Sequence, residues 1–445
     1  MRLTLLELLE ATGGGEVGGT QVGERFATYH TDSRQVQPGG LFFALRGAEM
    51  DGHQFVRDAV TRGAAAVVVE HRLEAPAGVV EILVPDTWKA LYDVAALVLA
   101  RVKPLVVGIT GSNGKTSTKE MTAAVLGARF NVHKTTGNLN TETGLPLTIL
   151  RLEPDHKALV LEMGLQKPGD IGHLAALAHP SIGVITNIGA VHMEFFATQE
   201  DLARAKGELV QALPRDGHAI LNADDRFFPL LAELSAAPVT TFGAEAGDYR
   251  VAAYRAASGG GCHFTVRGVD VELAIGGRHQ AMNAAAALAV GEIAGVPLNE
   301  GAPALAGVTV EHRLQEIPTA AGFTVVDDAY NASPESMLAA FATMAERPHE
   351  GRLLAVLGHM GELGDAAGDA HRHVGQVAAS TFDSVAVVDT PLGRILAEAA
   401  RADVVPDNAA AAQWVRAHAR EGDRVLIKGS HSRRLEEVVA ELTSA

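Results

Sequence analysis

The chain has 445 residues, 47% apolar and 20% charged, which excludes wholesale disorder and leaves room for about three domains of roughly 150 residues. Its formal net charge of −16 excludes a general nucleic-acid binder and a basic membrane-surface protein, so any phosphate ligand must be held by local positive features. A single cysteine, Cys262, excludes an internal disulfide and a cysteine-built zinc site, and implies a reducing compartment.

In chain order, the leucine-rich start MRLTLLELLEATGGG is interrupted by Glu7 and Glu10 and is followed by no A-x-A site. It reads as an amphipathic helix rather than a signal peptide. Residues 1–102 hold short strand-like runs and many glycines, as in TDSRQVQPGGLFFAL and GAAAVVVE, and are expected to form a smaller α/β domain. Lys103-Pro104 marks a boundary before LVVGIT. Across 103–311 the runs LVVGIT, ALVLEMG, SIGVITNIG and GHAILNAD alternate with helical stretches, the pattern of a parallel sheet covered by helices. The alanine-rich segment 281–289, with its single Asn283, reads as a buried helix, and EHRLQEIP (311–318) as a second junction.

Residues 312–445 repeat the alternation in FTVVDD, LLAVLG, SVAVVD and RVLIKG, and each run ends in an acidic or glycine-containing corner. Open α/β sheets bind ligands beyond the carboxyl ends of their strands, so Asp327-Asp328 and Lys428-Gly429-Ser430 mark an expected site in a Rossmann-like domain. No apolar run approaches the ~20 residues that span a bilayer. A soluble, cytoplasmic protein without membrane insertion is expected, working as a monomer.

The stretch ITGSNGKTSTKE (109–120) follows a strand and opens a helix, the context of a phosphate-binding loop. In the usual G-x-x-x-x-G-K-[ST] pattern the first glycine would fall at Ile109; here the glycines are Gly111 and Gly114. Lys115 is placed to reach the β- and γ-phosphates of a nucleotide, and Thr116 to offer its hydroxyl to Mg²⁺. Downstream, Glu162 ends an apolar strand as a Walker-B acid does, although a strand-end carboxylate has other uses. His192 lies just beyond the next strand, where a structural histidine is equally at home. Lys206 and Glu208 share a helix, where such a pair usually forms a solvated face. The run HRH (371–373) reads as a solvated helix start, and Cys262, with no base motif beside it, as inert.

Taken together, TGSNGKTST, GNLNTETGLPL, LEMG, TNIGAVH and AKGE resemble the ATP-dependent Mur ligases of peptidoglycan synthesis and their folylpolyglutamate synthase relatives. The loop T-G-x-x-G-K-[ST] is that family's form of the phosphate loop. DDAYNASPESM (327–337), LGHMGELG (357–364), IKGSHSRRLE (427–436) and the early DSRQVQPGGLFFAL resemble the branch that joins D-alanyl-D-alanine to a UDP-N-acetylmuramoyl-tripeptide.

The resemblance implies three α/β domains: 1–102 binding the UDP substrate, a central parallel-sheet ATPase domain at 103–311, and 312–445 binding nucleotide and D-Ala-D-Ala. It implies ATP and Mg²⁺ as cofactors, with Gly111, Ser112, Asn113, Gly114, Lys115, Thr116 and Ser117 around the phosphates. Asn283, Arg313, Asp328 and Asn331 are implied for the rest of the nucleotide, and Ser33 and Arg34 for the UDP end of the other substrate. Thr116, Glu162, His192 and Lys206, the last as a carbamate, are implied metal ligands. Lys115, Glu162, His192 and Lys206 are the implied catalytic set.

Two departures stand out: Ser333 where relatives tend to have asparagine, and His359 where an aspartate is common. Another ligase of the family, a P-loop kinase or GTPase, and a non-catalytic nucleotide-binding protein remain as alternatives.

Overall fold

The computed structural model describes residues 1–17, 25–47, 49–73, 78–257 and 260–444. By packing, the chain divides into two units: Met1–Gly108 with Phe130–Leu165 and Asp170–Ser181, and Ile109–Arg129 with Gln166–Gly169 and Ile182–Ala445. Among the described residues, no helix is long and apolar enough to cross a membrane.

The first unit opens with the helix Leu5–Thr12. The Thr4 hydroxyl accepts from Glu7 N at 3.3 Å while the Glu7 carboxylate accepts from Thr4 N at 2.7 Å, which satisfies two donors that a helix start leaves open. Five strands follow in the order Gly15–Val17, Val80–Leu83, Ala66–Val69, Leu41–Phe43, Tyr29–His30. The first pairs antiparallel and the others run parallel. Phe42, Val67 and Val69 pack against Val56 and Ala59 of the helix Val56–Thr61. Each large apolar side chain so buried contributes roughly 1.5–3 kcal/mol, enough for short β-branched runs to hold a sheet.

Asp86 caps the helix Thr87–Val102 by accepting from Lys89 N at 3.0 Å. That helix stops at Lys103 (φ 49), because Pro104 disfavours helical backbone in the residue before it. Later in this unit Val132–Lys134 pairs parallel with Ala158–Glu162, all five residues of which are buried.

In the second unit Ile182–Ile185, His218–Asn222, Val239–Gly243 and Tyr249–Ala256 pair parallel in that order, and Cys262–Val266 and Val269–Leu273 extend them antiparallel. The alanine-rich segment is a buried helix as expected, Arg278–Ile293; small side chains let it lie close to neighbouring elements. The remaining strands form a six-stranded sheet in the order Gln315–Pro318, Thr324–Asp327, Arg424–Lys428, Leu353–Leu357, Ser384–Val388, Asp403–Val405. Only its first pair is antiparallel. The strand that ends in Lys428 therefore lies between those ending in Asp327 and Leu357. This reversal of strand order brings three loop corners together at the carboxyl end of the sheet.

Candidate active site

The phosphate loop starts where a strand ends. Thr110 O accepts from Thr186 N at 3.0 Å, and beyond it the backbone turns through Gly111 at φ 146 and Gly114 at φ 82. A Cβ on Gly111 would run into the Thr186 hydroxyl, and one on Gly114 would lie 2.6 Å from Asn283 Oδ1. Both positions therefore need glycine, for conformation and for space. The helix Lys115–Gly127 begins at Gly114 with no side chain capping it, so its first amide groups have no capping side chain in competition with an anion.

The loop is clamped from the segment after Ile182–Ile185. Asn187 binds the Asn113 backbone on both sides, accepting from its N at 3.0 Å and donating to its O at 3.1 Å. Thr186 Oγ1 donates to the same oxygen at 2.6 Å, Ser112 N donates to Asn187 O at 2.8 Å, and the Ser112 hydroxyl donates to Gly189 O at 3.1 Å. Sequence reasoning quoted TNIG but gave Thr186 and Asn187 no role. The available signal was a polar pair directly after a buried strand, facing the glycine loop.

Each neutral hydrogen bond contributes only ~0.5–1.5 kcal/mol, but together they hold the loop in one shape. Asn187→Ala is expected to raise the nucleotide Kd by about 10-fold or more, since two such bonds go. Calorimetric titration with ADP checks this, and an unchanged Kd would remove the clamp from binding.

Two lysines meet at the loop. Lys115 Nζ donates to Gly111 O at 2.9 Å and to Ser112 O at 3.2 Å, and Lys206 Nζ donates to Gly111 O at 3.1 Å. Lys206 is 1% exposed, within the helix Gln199–Gln211 that Thr198 and Asp201 cap reciprocally. The solvated-face alternative for Lys206 is thereby overturned: its side chain lies on the sheet side of the helix. Burial first, and the nearby Lys115 charge second, hold its pKa well below the ordinary lysine value.

His192 sits in left-handed backbone (φ 59), and its Nδ1 lies 2.5 Å from Glu362 Oε2. The same segments meet where Met193 N donates to Glu362 O at 3.0 Å, and Ala190 N donates to Glu335 Oε1 of the helix Pro334–Glu346 at 2.8 Å. Ser333, one of the two departures from the family pattern, caps the helix Pro334–Glu346 and donates to Asn113 Oδ1 at 3.0 Å.

A second cluster occupies the carboxyl end of the six-stranded sheet. The buried Lys428 pairs with Asp328 at 2.6 Å and donates to Asn331 O at 3.0 Å. Burial lowers the Lys428 pKa and Asp328 opposes that shift. His431 N donates to Asn331 Oδ1 at 3.4 Å, and the Arg313 guanidinium lies 4.5 Å from the centre of the Tyr330 ring. His279, which sequence reasoning passed over, belongs to the same charged surroundings; burial brings its pKa down to about 4. At Asp327 burial raises the pKa, although His312 Nδ1 lies 2.6 Å away and acts in the opposite direction.

The structure thus brings together the loop residues, Lys206 and Asn283, joins His192 to Glu362, and gathers Arg313, Asp328 and Asn331 at the carboxyl end of the six-stranded sheet. Three expected site residues lie in the first unit. Glu162 is buried, accepts from Asn140 Nδ2 at 2.9 Å, and has its backbone N bonded to the Thr135 hydroxyl at 3.1 Å. Ser33 is buried in a single helical turn whose cap, Asp32, also binds the exposed Arg34 at 2.8 Å.

The HRH reading needs correction at one residue. His371 is fully buried, with Nε2 accepting from Met360 N at 2.9 Å and Nδ1 donating to Ala367 O at 2.6 Å. It fastens the loop after Leu353–Leu357 to the helix Ala367–Thr381. His359, the second departure, has Nδ1 3.1 Å from the Thr390 hydroxyl, and its O accepts from Ser430 N. Cys262 is buried, which pushes its thiol up to about 12 and fits the inert reading.

Residues 109–291 match the Mur ligase middle domain, 312–431 the Mur ligase glutamate ligase domain, and 26–98 the Mur ligase family catalytic domain. A Bacillus subtilis protein named UDP-N-acetylmuramoyl-tripeptide–D-alanyl-D-alanine ligase is 38% identical over 424 residues, 93% of this chain and 92% of its own. The chain belongs to the Mur ligase family.

Among solved structures, MurF from Acinetobacter baumannii superposes on this Mur ligase with a TM-score of 0.90 at 28% identity, covering 100% of this chain and 99% of that one. MurF from Thermotoga maritima, solved in complex with ADP, gives 0.84 at 30% identity over 94% and 97% of the two chains. This Mur ligase has the family's mixed α/β fold with mainly parallel sheets.

Proposed function

We propose that the protein is an ADP-forming amide ligase that joins D-Ala-D-Ala to UDP-N-acetylmuramoyl-tripeptide in cytoplasmic peptidoglycan precursor synthesis, working as a monomer. The observation that carries this reading is the clamped loop with Lys115 and a buried Lys206 on one carbonyl, in a chain 32–38% identical to proteins of that name. The ADP in the Thermotoga maritima MurF structure supports the use of a nucleotide by this chain. On this reading 1–102 holds the UDP substrate through Ser33 and Arg34, 103–311 holds ATP, and 312–445 contributes Arg313, Asp328 and Asn331 to the nucleotide and receives the dipeptide.

A carboxylate does not react with an amine, so it must first be activated. One carboxylate oxygen of the tripeptide attacks the γ-phosphorus, the bond to the β-γ bridging oxygen breaks, and ADP leaves with that electron pair. The amine of D-Ala-D-Ala then attacks the acyl carbon of the mixed anhydride. The tetrahedral adduct expels phosphate, and the nitrogen loses a proton to give the amide. The protein's contribution is positioning and charge neutralisation. Loop amides and the start of the helix Lys115–Gly127 face the phosphates, and Lys115 supplies the positive charge that a protein of net charge −16 otherwise lacks.

Mg²⁺ asks for hard oxygen ligands and takes only one or two from protein when phosphates supply others. Among the described residues, no group of three or more His, Cys, Asp or Glu could hold a metal ion, so a cage built from such side chains is absent. The Thr116 hydroxyl, in the first turn after the loop, fits the shared arrangement. When bound, Mg²⁺ would neutralise charge on the β- and γ-phosphoryl oxygens. By the family resemblance, His192, Glu162 and Lys206 as a carbamate would be further ligands. The depressed Lys206 pKa suits carbamate formation, because only an unprotonated amine adds to CO₂.

The test is ADP release from ATP in the presence of UDP-muramoyl-tripeptide and D-Ala-D-Ala. Release is expected only when both are present, and release with glutamate or a single amino acid instead of the dipeptide would move the protein to another branch. No release dependent on the two substrates would sink the reading.

A further inference from the structure

His192 and Glu362 meet in an arrangement that side-chain attraction alone does not require. Both are non-glycine residues in left-handed backbone, at φ 59 and φ 60. Such conformations are strained for residues with a side chain and persist where the surroundings over-determine them. Here two bonds join the same two residues' segments: Nδ1 to Oε2 at 2.5 Å, and Met193 N to Glu362 O at 3.0 Å. Gly364 also packs against Met193 O, where a Cβ would lie 3.4 Å away. The loop carrying Glu362 is itself tied down, by His371 on Met360 N and by Ser430 N on His359 O. His192 follows closely on Gly189, whose carbonyl accepts from Ser112 of the phosphate loop.

A glutamate at neutral pH is an acceptor only, so the ring nitrogen it faces must carry the proton. In a neutral imidazole the other nitrogen then keeps its lone pair. We propose that Glu362 is a positioning residue that holds His192 in the Nδ1–H form, leaving Nε2 as the lone-pair nitrogen. This rests on the reading of His192 as a ligand-side group of the ligase site. It makes the competence of His192 depend on the seating of residues 358–364, a segment 170 positions further along the chain.

The experiment uses the full-length protein labelled with ¹⁵N-histidine, with the His192 signals assigned from the difference spectrum of His192→Gln. Wild type is expected to show Nδ1–H, and Glu362→Ala to shift the ring toward the Nε2–H form common in water. In the ADP-release assay Glu362→Ala should lose about 10–100-fold in kcat while the nucleotide KM moves by less than about threefold, as for other groups that orient a ligand from behind. Glu362→Gln retains an acceptor and should recover most of that loss, which separates orientation from misfolding. An unchanged His192 ring in Glu362→Ala, or a kcat within about twofold of wild type, would overturn the proposal. If wild type releases no ADP with any substrate mixture, the ligase reading fails by itself, and the ring spectra still decide whether Glu362 sets the tautomer.

Discussion

Replacing Lys115 with alanine is expected to lower ADP release by at least about 10²–10³-fold, the usual cost of losing one preorganised group that faces developing charge. The lysine is pinned over the loop by bonds to Gly111 O and Ser112 O. Its neighbour Lys206 is a poor substitute for it, because that amine is buried and its pKa is held well below the ordinary lysine value. Burial is the larger cause and Lys115 the smaller, so the Lys206 pKa should stay depressed in the variant. Stability should hardly change, since Lys115 is only half-buried. The checks are ADP release and the urea unfolding midpoint, measured together. A variant within about tenfold of wild type in turnover would remove Lys115 from the chemistry.

Gly111→Ala should act differently, on shape before charge. At φ 146 an L side chain is strained, and the added methyl would meet the Thr186 hydroxyl, which also donates to Asn113 O. Strain of order 1–3 kcal/mol and overpacking of about the same size set the expected loss of stability at about 2–6 kcal/mol. If the loop yields instead, Gly111 O moves away from both lysines that donate to it, and nucleotide binding is lost with little change in stability. Either way one of two measurements must move: the urea midpoint or the Kd for ADP. A variant with both unchanged would mean that the loop geometry described here does not govern binding.

Some of the site was legible because it is local. The loop at 109–117 is a continuous stretch in which strand, glycine turn and helix start follow each other, and the chain's backbone alone brings those amides together. The helix at 281–289 and its burial were legible from composition, and the helix around Lys206 from spacing, but the exposure of Lys206 was not. Lys206 looked like one half of a wet pair and is 1% exposed, because which side of Gln199–Gln211 faces the sheet depends on packing. His371 failed in the same way: HRH beside acidic residues looked solvated, yet its first histidine faces inward and bonds Met360 N. Asn187 and Glu362 were missed because each acts on a residue distant in sequence, Asn113 and His192 respectively.

The sequence by itself determined the α/β class, the phosphate loop and its lysine, and through the resemblance the family, since these depend on residue order within short windows. Only the tertiary structure decided that Lys206 is buried beside Lys115, that Asn187 and Thr186 clamp the loop, and that His192 is held by a glutamate from the C-terminal sheet. The physical reason is that burial and hydrogen bonding depend on which groups are close in space. For these residues the partners lie some 70 to 170 positions away along the chain.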